Sequence, residues 1–93
     1  MQRLSHQIAK DKGFWDKDRN DGELIALMHS ELSEALEELR KKNSSNEKVL
    51  EEFADTVIRI CDFCERKKWN LEEAIWEKLD KNKKRPRMHG KRF

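Results

Sequence analysis

Two pairs of acidic residues have the clearest chemical potential in this sequence. Glu31 and Glu34 are three residues apart, and so are Glu52 and Asp55 further along the chain. On a helix this spacing places both members of a pair on one face. Four carboxylates at close range cannot all stay charged in a half-buried site without cations. Hard divalent cations prefer oxygen ligands, so the pairs predict a Mg²⁺ site in which Mn²⁺ could substitute.

A plainer interpretation stays open, because 43% of the chain is charged and glutamates at this spacing are common on exposed helices. Several other glutamates are expected to form such a solvated face: Glu37, Glu38, Glu47, Glu51, Glu72, Glu73 and Glu77. The apolar neighbours of Glu31 and Asp55 favour the metal site instead. A di-iron carboxylate site would need Glu-x-x-His motifs, and none of the three histidines follows a glutamate at that spacing.

The elements that would carry these pairs are helices, because apolar residues recur with a helical period. A first helix is expected from about Gln2 to Asp11. The capping pairs that predict the starts of the next three helices are Asn20 with Glu23, Ser44 with Glu47, and Asn70 with Glu73. Short links imply antiparallel neighbours. The fold class is therefore predicted as all-α, an antiparallel helical bundle of about four helices completed by homo-oligomerisation.

Length and composition support a single domain over residues 1–93. A chain of this size buries a limited share of its surface alone, and its apolar stripes are wide, so a dimer or tetramer is expected. Residues 81–93 contain seven basic residues and no acidic one, which leaves 14 basic and 19 acidic residues (net −5) in the first 80. This basic tail, expected to be extended, could bind nucleic acid, a membrane surface or a phosphate-bearing small molecule.

The sequence contains no apolar run of the roughly 20 residues that a membrane span needs. Its first residues lack the apolar core of a secretion signal, so a cytoplasmic location without a membrane partner is expected. Cys61 and Cys64 are interpreted as small core residues, with a redox or metal role as the alternative.

The motifs together resemble the MazG-like all-α nucleotide pyrophosphohydrolases. The resemblance lies in GELIALMHSELSEALEE, in EEFADTVIRICD and in the ending KLDKNKKRPRMHGKRF, and it covers the chain from about Leu4 to Phe93. The family signature is E-x-x-E followed by E-x-x-D on two antiparallel helices, with a downstream Lys, Asn and Arg cluster. Membership would imply a Mg²⁺-dependent hydrolase that converts nucleoside triphosphates, (d)NTP, to (d)NMP and pyrophosphate, with a role in housecleaning of the nucleotide pool.

The resemblance assigns roles to matching residues. It implies that Glu31, Glu34, Glu52 and Asp55 are the metal ligands. The downstream cluster near the phosphates matches Lys78, Asn82 and Arg85, and the related dCTP pyrophosphatases imply base-binding roles for His6 and Trp15. The sequence departs from some relatives at Arg59 and Lys41, where those proteins carry aromatic residues, so the pocket is not a close copy of theirs.

Structural roles are alternatives for several of these residues. His6 could be a surface residue of the first helix, Trp15 a core or interface aromatic residue, and Asn82 a helix C-cap. His29 is interpreted as a structural residue or as a neighbour of the ligands.

In the implied chemistry, Glu34 or Glu31 would act as the general base toward a metal-activated water. Lys78 and Arg85 would stabilise the charge of the leaving pyrophosphate. The competing hypothesis is a non-catalytic helical protein that binds nucleic acid or another partner through its basic tail. Nucleic acid is the less favoured partner, because the body is acidic and no helix shows clustered Arg or Lys residues.

Overall fold

The computed structural model describes residues 1–86, and all regular structure in that range is helical. The four α-helices are α1 (Gln2–Asp11), α2 (Asp21–Arg40), α3 (Asn46–Lys67) and α4 (Leu71–Lys84), with a short 3₁₀ helix at Phe14–Asp16. The predicted all-α class is thus confirmed. None of the helices in residues 1–86 is both long enough and apolar enough to cross a membrane.

The helix starts follow from local capping. The side chains of Asn20 and Asn70 accept hydrogen bonds from the backbone N–H groups of Glu23 and Glu73, as predicted. The cap of α3 is Ser45, so the prediction of Ser44 was wrong by one residue. Glu38 explains the difference, because its buried carboxylate accepts the backbone N–H of Ser45 and fixes that residue at the helix entrance.

Helices α2 and α3 form an antiparallel hairpin. Two ion pairs between the helices show this direction. Asp21, at the start of α2, pairs with Lys67 at the end of α3, and Glu31, in the middle of α2, pairs with Arg59, which comes before Lys67 in α3. The core between the helices includes the buried residues Leu24, Ala35, Val49 and Phe63. Helix α1 packs antiparallel against the C-terminal half of α3, where Gln2 hydrogen-bonds with Glu65 and His6 with Asp62.

The hairpin has two different faces. At about 100° per residue, Leu32, Leu36 and Leu39 fall on one side of the buried Ala35, and the acidic pair of α2 falls on the other. Helix α3 repeats this division around the buried Thr56. Its apolar side carries Leu50, Phe53 and Val57, which are 67%, 45% and 46% exposed. We call these six exposed residues the apolar face. The other face carries the carboxylates.

Helix α4 begins beside the first residue of α1, at the end of α3. The Gln2 side chain accepts the N–H of Leu71 and donates to the carbonyl of Trp69, which ties the start of α4 to α1. Beyond this point α4 forms no interface with α1–α3 comparable to theirs, and its Trp76 is 65% exposed. The described chain therefore does not complete a four-helix bundle by itself, and this part of the fold stays a prediction.

The tail that contains Pro86 and Gly90 was predicted to be extended, and the basic run that leads into it begins at Lys81. Helix α4 continues to Lys84, since the sequence from Glu72 to Lys84 contains no helix breaker. Pro86 follows directly, as is typical after a helix end. The rest of the predicted tail, residues 87–93, lies outside the described residues.

Both cysteines lie in the C-terminal half of α3. Cys61 and Cys64 are buried free thiols. Burial is the largest cause that raises the pKa of each thiol above its ordinary value, so both are neutral at physiological pH. Their environment is that of core residues, as the sequence indicated.

Candidate metal centre

The structure brings the four predicted ligands to one place. Glu31, Glu52 and Asp55 each offer an oxygen atom, and these three atoms lie within 4.8 Å of one another. Glu34 completes the group, since its side chain lies close enough to that of Glu52 to raise the pKa of Glu52. We call Glu31, Glu34, Glu52 and Asp55 the carboxylate cluster. The helical repeat explains this cluster, because both residues of each pair lie on one side of their helix and the two helices bring these sides together.

Glu52 lies at the centre of the cluster. Its pKa is raised from 4.5 to about 7, first by a side-chain hydrogen bond with Glu34, then by burial and by the negative charges of Glu34 and Glu31. The Oε2 atom of Glu52 is buried and has no hydrogen-bond partner. These two observations agree, because ionised carboxylates only accept hydrogen bonds, so the neighbouring glutamates cannot satisfy Oε2 unless a carboxyl group is protonated. A cation at this position would satisfy the same atom.

The donor set fits a hard divalent cation. All three oxygen atoms come from carboxylates, which are ligands that Mg²⁺ and Mn²⁺ accept. Two opposite ligands of an octahedral Mg²⁺ lie about 4.2 Å apart, given bond lengths of about 2.1 Å. Since the oxygen atoms are at most 4.8 Å apart, small side-chain movements would bring them to binding distance.

Arg59 adds a positive charge beside the cluster. Its Nε donates to Oε1 of Glu31 over 2.9 Å, and the side chains of Arg59 and Glu31 are 33% and 14% exposed. Arg59 is one helical turn after Asp55, which explains why it reaches the same face. The sequence analysis noted Arg59 only as a departure from relatives and gave it no role.

An open acidic groove of about 440 Å³ runs from the cluster toward the link between α2 and α3. Its lining residues are Ser30, Ser33, Glu34, Glu37, Glu38, Lys41, Lys48, Glu51 and Glu52. Two lysines at one end partly offset the acidic residues. Lys41 pairs with Glu38, and this hydrogen bond is the largest cause that lowers the pKa of Glu38. An anionic ligand in this groove would need cations.

The predicted base-binding residues lie together on the other side of Arg59. Asp62 Oδ1 accepts from Nδ1 of His6 over 2.6 Å and from Nε1 of Trp15 over 2.9 Å. The rings of His6 and Trp15 meet edge to face, and the guanidinium group of Arg66 lies 4.7 Å from the Trp15 ring centre. Arg66 thus covers one face of the Trp15 ring, and the N–H of Trp15 is already used.

Asp62 was missed by the sequence analysis. It is buried, with 6% of its surface exposed, and it holds two segments of the chain in place. The available signal was a charged residue between Cys61 and Phe63, inside the apolar stripe of α3. The cavity beside it is small, with about 10 Å³ of free space, and is lined by Phe14, Trp15, Leu24, Leu27, Met28, Arg59, Asp62 and Phe63. A base would enter only after side chains move.

Two of the predicted phosphate-binding residues, Lys78 and Asn82, are not paired with the cluster. Lys78 and Asn82 lie on the exposed helix α4, and among residues 1–86 neither forms a hydrogen bond or ion pair with the four carboxylates. Arg85 follows the last turn of α4, and its backbone N–H bonds to the carbonyl of Asn82. Asn82 is therefore inside the last turn and is not the C-cap. His29 is exposed on α2 and does not belong to the group that Glu31, Glu52 and Asp55 form.

Searches with the chain find no matching protein-family model, no matching curated protein and no matching solved structure.

Proposed function

We propose that this protein is a Mg²⁺-dependent nucleoside triphosphate pyrophosphohydrolase that releases pyrophosphate and a nucleoside monophosphate in the cytoplasm. The observation that carries the proposal is the convergence of Glu31, Glu34, Glu52 and Asp55 around a buried, unpaired carboxylate oxygen. The motif resemblance to MazG-like enzymes supplies the reaction. Mg²⁺, or Mn²⁺ in its place, would neutralise phosphate oxygens and lower the pKa of a bound water.

The protein side chains would divide the work. Glu52 and Asp55 would hold the cation together with Glu31. Glu34 is the better candidate for the general base, because Glu31 is already engaged by Arg59. Glu34 is exposed and lines the groove, so the water that attacks the substrate could reach it.

Substrate binding would draw on residues around the cluster. Trp15 would stack on the base beside His6, after the small cavity opens. Lys78, Asn82 and Arg85 would approach the phosphates only by a movement of α4 or from a second copy, since α4 does not pack along the hairpin in the single chain. Cationic groups there would stabilise the leaving pyrophosphate.

We further propose that the active species is a homo-oligomer, a dimer or tetramer. The molecule measures 47 × 40 × 23 Å, so it is thin in one direction, and its radius of gyration is 16.3 Å. A compact domain of this length has a radius of about 12 Å. The apolar face and the exposed apolar residues of α4, Ile75, Trp76 and Leu79, give a second copy a large surface to cover.

The decisive experiment measures pyrophosphate release from a panel of natural and modified nucleoside triphosphates, with Mg²⁺ and with a chelator. Glu34→Gln and Asp55→Asn should each lower turnover by about a hundredfold or more, because a base or a metal ligand is lost. Glu37→Gln is the matched control, since Glu37 lies in the same groove but outside the cluster. Near-normal activity of the two cluster variants would refute the assignment.

The same sample tests the competing function. The last turns of α4 carry Lys81, Lys83 and Lys84, which could contact a nucleic-acid backbone. DNA or RNA affinity that falls steeply with salt, without pyrophosphate release from any nucleotide, would favour the binding protein over the enzyme.

A further inference from the structure

Arg59 lies between the two parts of the proposed site. On one side its Nε binds Glu31 of the carboxylate cluster. On the other side it lines the small cavity beside Trp15, and its guanidinium carbon is 5.7 Å from the ring centre of Phe14. A substrate that reaches from the cluster to Trp15 has to pass this side chain.

The guanidinium group retains unused donors. Within residues 1–86 the hydrogen bond of the Arg59 side chain is made through Nε, so its two terminal nitrogen atoms keep their four N–H groups for other partners. The side chain is one-third exposed. A planar, forked donor of this kind binds phosphate oxygens in pairs, which a lysine cannot do.

Glu31 connects Arg59 to the cation. Its Oε1 atom accepts from Arg59, and the same carboxylate offers an oxygen atom to the cluster, so Arg59 and a cation compete for one negative charge. When Glu31 turns to a cation, the half-buried guanidinium loses its partner and requires a new anion. Phosphate oxygens held at the cluster would be the nearest source.

We propose that Arg59 is a phosphate-binding residue of this site that is held in reserve by Glu31. In the absence of a cation it neutralises Glu31, and with cation and substrate present it binds a phosphate group. The inference rests on the proposed function. It predicts opposite effects on two affinities, which a purely structural ion pair would not produce.

The experiment compares wild type, Arg59→Gln and Arg59→Lys by titration calorimetry. The first titration uses Mg²⁺ alone, and the second uses pyrophosphate in saturating Mg²⁺. For Arg59→Gln we expect Mg²⁺ to bind about threefold or more tightly, because a competing charge is gone. Pyrophosphate should bind at least about tenfold more weakly. Arg59→Lys should restore the Mg²⁺ affinity of wild type but only part of the pyrophosphate affinity.

Arg66→Gln is the matched control. Arg66 is also on α3, but its guanidinium group lies over Trp15, so neither affinity should change. Circular dichroism verifies that each variant is folded. Weaker Mg²⁺ binding by Arg59→Gln, or unchanged pyrophosphate binding, would overturn the proposal. Failure of wild type to bind Mg²⁺ or to hydrolyse any triphosphate would instead reject the enzyme itself, and the Arg59 role with it.

Discussion

Glu52 is the residue whose ionisation is most sensitive to the cluster. Its pKa of about 7 lies above the ordinary 4.5, so the folded protein holds a proton that the unfolded chain releases between these pH values. The free energy of unfolding without metal should therefore fall as pH rises from about 4.5 to 7. Glu52→Gln should remove this slope, and Glu51→Gln, a neighbour outside the cluster, should retain it. Chemical denaturation across this pH range measures both.

The same proton should affect metal binding. A cation has to displace the proton from Glu52, so the apparent Mg²⁺ affinity should drop below pH 7 by up to about tenfold per pH unit. Titration calorimetry at pH 6, 7 and 8 measures the change. An affinity that is constant over this range would show that Glu52 does not titrate in the site.

Asp62 should be important for stability, because it is buried and accepts two hydrogen bonds. Asp62→Ala leaves the donors of His6 and Trp15 without their partner and should reduce the free energy of unfolding by about 2–3 kcal/mol. Asp80→Ala is the control, since its exposed pair with Lys84 is worth under about 0.5 kcal/mol. Urea unfolding measures both, and the indole N–H signal of Trp15 should shift only in the first variant. Equal effects of the two variants would contradict the anchoring role.

At the residue scale, the sequence could predict only the arrangements that a local pattern sets. The pairs Glu31 with Glu34 and Glu52 with Asp55 are set by the helical repeat, so their shared faces could be foreseen. The pair of Arg59 with Glu31 spans 28 positions and depends on how α2 and α3 are aligned, which no local pattern specifies. Asp62 was missed for a related reason, because its partners come from the N-terminal segment.

At the scale of the helices, the end of α3 has a testable backbone feature. Lys68 has φ of 64°, in the left-handed region, and Trp69 N–H bonds back to the carbonyl of Cys64. A side chain is unfavourable in this conformation, so Lys68→Gly should stabilise the protein by about 0.5–1 kcal/mol. Lys68→Ala keeps the Cβ atom and should give no comparable gain. Thermal unfolding of both variants measures the difference. A loss of stability in Lys68→Gly would show that the left-handed conformation of Lys68 is not unfavourable.

The starts of α2, α3 and α4 were predictable to within a residue because caps are local. Asn20 and Asn70 were identified from their own neighbours. The start of α3 was misplaced by one position, since Glu38, seven residues before Ser45, selects the cap. The basic run from Lys81 was interpreted as the start of a tail, and α4 includes its first residues up to Lys84, since lysine is a good helix former.

At the scale of the whole molecule, the apolar face predicts association. Sedimentation of wild type at micromolar concentration should give a dimer or tetramer, and Phe53→Glu should shift it toward monomer by placing a charge in the interface. Ser33→Glu adds the same charge outside the apolar face and should leave the assembly unchanged. A monomeric wild type with full activity would refute the oligomer.

The position of α4 was beyond the reach of sequence analysis. Its period and cap predict a helix, but within residues 1–86 it forms no interface comparable to those among α1, α2 and α3. Where such a helix packs depends on contacts that local patterns do not encode.

The two buried cysteines have a practical consequence for measuring motion. Cys61 and Cys64 lie in the half of α3 that α1 covers, and their raised pKa values keep them as unreactive thiols. An alkylating reagent can modify them only during transient exposure, so the labelling rate reports how often this part of the protein opens. Because α1 is tied to α3 through Asp62 and Glu65, loosening either contact should accelerate labelling even where catalysis and secondary structure are unchanged. The natural chain thus carries its own reporter of N-terminal detachment.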